Sequence, residues 1–138
     1  MFWAKILTLF RATAHDAEQS VIDANALRIL DQEIRDAAAA VRDATRELTG
    51  LMAREIQDRR AVEAAEKRIA EHENHARKAL ERNDEGLALE IAEAIAGAEQ
   101  ERDRHRGNLD AATRQIARLR TDIGKADARI TELKRELA

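Results

Sequence analysis

Five consecutive residues in this chain carry side chains suited to binding a metal or moving a proton: Glu71-His72-Glu73-Asn74-His75. The run is close to the HExxH pattern of zinc proteases. There, two imidazoles four residues apart share a helical face and hold Zn2+, while the intervening glutamate activates water. Here the second histidine arrives one residue early, and position 76 is alanine. His72 and His75 still share a face at i, i+3, but two ligands fall short of the three or four protein ligands of a zinc site. His15 and His105 are isolated, and no cysteine is available to supply a thiolate. Catalysis also needs a concave site with convergent groups, which long helices do not build. The expectation is a protein that is not an enzyme, with no metal and no cofactor.

The elements that carry these residues are helices. Charged residues make up 37% of the 138 positions and aromatics 2%, and there is no proline. That profile, combined with helical periodicity, belongs to coiled coil. Disorder is the competing reading of high charge, but the apolar residues recur too regularly and the two signs nearly balance, at a net charge of −3. Placing Leu27, Ile34, Val41, Leu48, Val62, Ile69 and Ala76 at heptad position a puts Leu30, Ala37, Ala44, Leu51, Ala65, His72 and Ala79 at d. The seven-residue repeat specifies a left-handed seam. It lapses at Glu55 and Asp58, where the apolar side chains shift to Met52 and Ile56. A second pattern runs through Ile91, Ala94 or Ile95, and Ala98, then a polar layer at Arg102 and His105. It continues cleanly from Leu109 through Ala112, Ile116, Leu119, Ile123, Ala126, Ile130 and Leu133 to Leu137. Both polar layers read as devices that fix register, with Arg102 placed to meet Glu66 across the seam.

Between the two patterns stands Arg82-Asn83-Asp84-Glu85-Gly86. Asn83 suits the left-handed conformation that ends a helix, and Asp84 suits the cap of the next one. A turn this short forces its helices antiparallel. The predicted fold is therefore all-α: an N-terminal amphipathic helix over 1–19, a linker over 20–25, then a coiled-coil hairpin over 26–138. The hairpin comprises a helix over 26–82, a turn at 83–86 and a helix over 87–138. Ser20, Asp23 and Asn25 in the linker are all good N-cap residues. The helical pattern reaches Ala138 without a cap or polar tail, which predicts a fragment of a longer helical protein. An alanine-rich seam buries little, so lateral association into homo-oligomers is expected.

All three aromatic residues of the chain fall within its first ten positions: Phe2, Trp3 and Phe10. On a helical wheel Phe2, Trp3, Ile6, Leu7, Leu9 and Phe10 lie within an arc of roughly 160°, with Lys5 and Arg11 at its edges. Bulky aromatics on one face and cations at its margins are the pattern of a helix lying in a membrane interface. There the rings sit at headgroup depth and the cations reach anionic lipid. The apolar run Ile6 to Phe10 is too short for a signal peptide and is interrupted by Arg11. No stretch approaches the ~18–20 apolar residues of a membrane span. Six large side chains give a gross gain near ~10 kcal/mol, from which the ordering of the segment subtracts much. One copy binds weakly; many copies on one assembly bind firmly. Beyond residue 14 the chain is net acidic, and no basic stripe interleaved with aromatics is present, so nucleic acid is not an expected partner.

These segments, in this order, resemble the phage shock protein A family. That family includes the vesicle-inducing protein in plastids and is related to ESCRT-III. The resemblance rests on MFWAKILTLF at the start, on ALRILDQEIRDA (26–37), and on KALERNDEGLALEIAEAI (78–95), which is similar to the family's hairpin turn. It covers essentially the whole chain. One departure is Asp23-Ala24-Asn25, where many members have an E-D-P sequence entering the first long helix; this points to a divergent branch. The resemblance implies a cytoplasmic protein, peripheral on the inner face of the cytoplasmic membrane. Such a protein would polymerise and protect or remodel stressed bilayers. It also implies a competing role, in which the hairpin sequesters an AAA+ transcription activator.

Overall fold

The computed structural model describes residues 24–137. They form two long helices, α1 (Ala24–Glu81) and α2 (Glu85–Leu137), packed against each other as a hairpin. The predicted amphipathic helix over 1–19 and most of the predicted linker lie outside the described residues; Ala24 and Asn25 are already part of α1.

The connection is built by three residues. Asn83 adopts φ 57°, the left-handed conformation that an asparagine tolerates better than most residues. That reversal lets the Asp84 N–H donate to the Ala79 carbonyl at 2.9 Å and the Asn83 N–H to the Leu80 carbonyl at 3.0 Å, which satisfies carbonyls at the end of α1. Asp84 then caps α2. Its carboxylate accepts the Leu87 backbone N–H at 3.1 Å, the N3 position of a standard N-cap. Lys78 lies in the last turn of α1 and Glu85 in the first turn of α2, each of the sign that the helix dipole favours there.

The chain divides into two units. In the first, α1 up to Thr49 packs with α2 from Ala117 onward. Its core is Ile34, Ala37, Val41, Ala126, Ile130 and Leu133, with Leu30, Ile123 and Leu137 packed against it. Ala44 and Leu119 are buried in the same unit. Leu27, placed in the seam by the heptad count, is instead 40% exposed. The second unit holds residues 50–116 and therefore the turn. Its buried residues are Val62, Ala65, Ile69 and Ala79 on α1, and Ala98, Ala112 and Ile116 on α2. The pattern's choice between Ala94 and Ile95 falls to Ile95, which is half-buried while Ala94 is exposed. Where the heptad lapses, Met52 and Ile56 do not take over the seam; they are exposed, and Glu55 and Asp58 stay half-buried in it. The seven-residue repeat on either side keeps one side of α1 toward its partner, and local apolar shifts do not rotate the helix.

Candidate functional site

The residues assigned to membrane binding, Phe2, Trp3, Lys5, Ile6, Leu7, Leu9, Phe10 and Arg11, lie outside the described residues. The hairpin itself carries three groupings of polar side chains, all in the second unit.

The first is the polar layer. His105 Nδ1 and an Asp58 carboxylate oxygen are 2.9 Å apart across the seam, both half-buried. Glu55 and Arg102 border this pair, each half-buried and each turned to a partner on its own helix. Glu55 meets Arg59 at 3.4 Å, and Arg102 meets Asp103 at 3.1 Å. Arg102 therefore does not reach Glu66 as the sequence suggested. Glu66 is taken by Arg106, one turn further along α2, because the adjacent Asp103 offers Arg102 a shorter route. Arg68 and Glu101 form a second inter-helix pair at 2.7 Å, about half exposed on each side. Both of these pairs escaped the sequence reading. Their signal was available in the antiparallel register, which sets 66–68 of α1 opposite 101–106 of α2.

The second grouping is the histidine pair. The His72 and His75 rings stand 6.4 Å apart, edge to face. Among the described residues no group of three or more His, Asp or Glu is placed to hold a metal ion. The third lies at the turn, where His75, Lys78, Ala79, Arg82, Asp84, Leu87 and Ile91 line an open cleft of about 350 Å³. Two fixed cations line it against one carboxylate, so it disfavours a divalent cation and offers no convergent acid–base pair. Among the described residues no buried side-chain nitrogen or oxygen lacks a hydrogen-bond partner. None of the described helices is long and apolar enough to cross a membrane.

This combination is an antiparallel hairpin of 58- and 53-residue helices, capped at an Asn-Asp turn and locked by a polar layer. It has a counterpart among known proteins. The model of the PspA/IM30 family matches residues 1–138. The chain belongs to that family. A phage shock protein A homolog from Deinococcus radiodurans is 30% identical over 132 residues, which are 94% of this chain and 57% of the relative. The chain thus spans a little over half the length of the curated relative it matches. No solved structure matches it. Within the PspA/IM30 frame, the all-helical hairpin is the part described here, and the aromatic N-terminal segment falls inside the matched range.

Proposed function

We propose that this chain is a peripheral membrane-binding, self-assembling coiled-coil protein that maintains or remodels the bilayer under envelope stress. The observation that carries the reading is the confinement of every aromatic residue to positions 2–10, on one face of a predicted helix edged by Lys5 and Arg11. Membership of the PspA/IM30 family supports it, and so does the shock-response name of the Deinococcus radiodurans relative. In this reading Phe2, Trp3, Ile6, Leu7, Leu9 and Phe10 enter the interface, and Lys5 and Arg11 select anionic lipid. The site of action is the inner face of the cytoplasmic membrane.

The hairpin's contribution is display. Two cations near an acidic surface add about 1 kcal/mol each, so a single anchor is reversible and an array of anchors is not. A self-assembling hairpin supplies the array. The family is a structural and regulatory one rather than a family of enzymes, in keeping with a function built on surfaces.

The test is co-sedimentation of the chain and of a Phe2→Glu/Phe10→Glu variant with neutral and anionic vesicles. The parent is expected to pellet, mainly with anionic vesicles, and the variant to stay in solution with its helicity intact. If neither pellets while both remain helical, the anchor reading fails. The hairpin then becomes the place to look for a protein partner such as a transcription activator.

A further inference from the structure

The first third of α2 presents a face that α1 does not cover. On a wheel of α2, Leu89, Ala92 and Ala96 fall within an arc of roughly 60°, on the side away from the seam residues Ile91, Ile95 and Ala98. All three are exposed, and Leu89, at 63%, is the most exposed large apolar side chain among the described residues. Beside them Gly97 is equally open: a Cβ added there would meet nothing within 4 Å. The result is an apolar strip with one large side chain and small neighbours. Glu85 precedes it along the helix, and Glu93 and Glu99 flank it. From Asn83 to Glu101 the chain has six carboxylates and no lysine or arginine.

Charge decides what fits this face. Glu85, Glu93 and Glu99 stand at its edges with no lysine or arginine among the α2 residues between them, so it repels an anionic bilayer and lipid is not its occupant. Its complement is a helix of the opposite design, bulky and apolar at its centre and basic at its edges. Residues 2–11 have that pattern, and no acid occurs before Asp16. We propose that, away from lipid, residues 2–11 of one copy dock on the Leu89–Ala92–Ala96 face of a second copy. Lys5 and Arg11 then stand against Glu85, Glu93 and Glu99, and large side chains lie over small ones. The donor is a second copy because self-assembly, as proposed above, brings the N-terminal segment of one hairpin alongside another.

The consequence rests on the membrane-anchor reading: one aromatic face is shared between a neighbour and the bilayer. An unengaged protein shelters its anchors, and an anionic surface draws them out.

Trp3 is the only tryptophan in the chain and reports directly on its own surroundings. Its emission is measured for the full chain without lipid across a dilution series, alongside Leu89→Glu and Glu93→Arg/Glu99→Arg variants whose helicity is checked in parallel. The proposal expects blue-shifted emission that reddens on dilution in the parent, and red emission at all concentrations in both variants. A blue shift that ignores dilution means docking within one copy and overturns the proposal. So does a shift that survives Leu89→Glu, or no shift at any concentration. A shift that survives only the charge reversal overturns the pairing with Lys5 and Arg11. The same proteins are then titrated with anionic vesicles. If half the anchors were sheltered, freeing them lowers the apparent Kd about twofold. A parent that docks but never binds vesicles sinks the membrane anchor and leaves docking standing; one that binds vesicles without docking does the reverse.

Discussion

Both units of the hairpin close on an apolar seam, and only the second interrupts it with a polar layer. In the unit formed by 24–49 and 117–137, the buried residues follow one another without a break, with Ile34, Val41, Ile130 and Leu133 interleaved with Ala37, Ala44 and Ala126. The unit formed by 50–116 buries Val62, Ala65, Ile69, Ala79, Ala98, Ala112 and Ile116, but no residue is buried from 50 to 61 on α1 or from 99 to 111 on α2. Into that interruption fall Asp58 and His105, and next to it Glu66 pairs with Arg106 and Arg68 with Glu101. An apolar seam is strong but indifferent to register, because a slip of one heptad replaces apolar side chains by other apolar side chains. A polar layer is weaker but discriminating, because the same slip strands a carboxylate and an imidazole among side chains that cannot answer them. Apolar burial is thus shared by both units, while the polar layer that specifies register has one address, in the second.

The contrast can be tested most forcefully in the first unit, away from the polar layer. Ile130→Ala, at a side chain 6% exposed, is expected to cost about 2–4 kcal/mol and to bring the urea midpoint, followed by circular dichroism, down sharply. At the turn the effect is smaller and comes from the backbone. Asn83→Val forces a β-branched residue into φ 57° and should cost about 1–2 kcal/mol, while Asn83→Gly should fall close to the parent in the same melt. The polar layer gives the sharpest contrast. Asp58→Leu alone removes the partner of His105 and is expected to destabilise by about 1 kcal/mol. The double variant Asp58→Leu/His105→Leu should match or exceed the parent in thermal stability. Its price should appear as mixed registers, read by cross-linking of cysteine pairs introduced at seam-flanking positions. A double variant with a single register would refute the role given to this layer. Smallest of all, Arg106→Ala removes an ion pair about half exposed on both sides and should shift stability by less than about 0.5 kcal/mol, with the difference fading in high salt.

Much of this was legible in the sequence because heptads are a strong signal. Ile34, Ala37, Val41, Val62, Ala65, Ile69, Ile116, Leu119, Ala126, Ile130 and Leu133 were all placed in the seam by spacing alone, and all are buried. Asn83 and Asp84 were readable as a helix stop and a helix start because each residue type has a specific backbone or capping property. What spacing did not give was the choice among nearby charges. Arg102 was matched to Glu66 by register, but a long flexible side chain takes the nearest carboxylate, and Asp103 is next to it. Leu27 kept its heptad position yet remains 40% exposed, since periodicity says which way a side chain faces and not whether a partner meets it. The aromatic segment was legible as a pattern of residue types, and its eight assigned residues lie outside the described structure.

The alanine content of the seam has a thermal consequence. Among the described residues, seven of the fifteen buried apolar side chains are alanine, and no large one is fully enclosed. Little apolar surface is therefore hydrated when the helices separate. The heat capacity of unfolding follows that surface, so it should be small for a chain of this length. The stability curve is correspondingly flat, and the hairpin holds nearly constant strength from cold to warm where a globular domain of equal size would pass through a pronounced maximum.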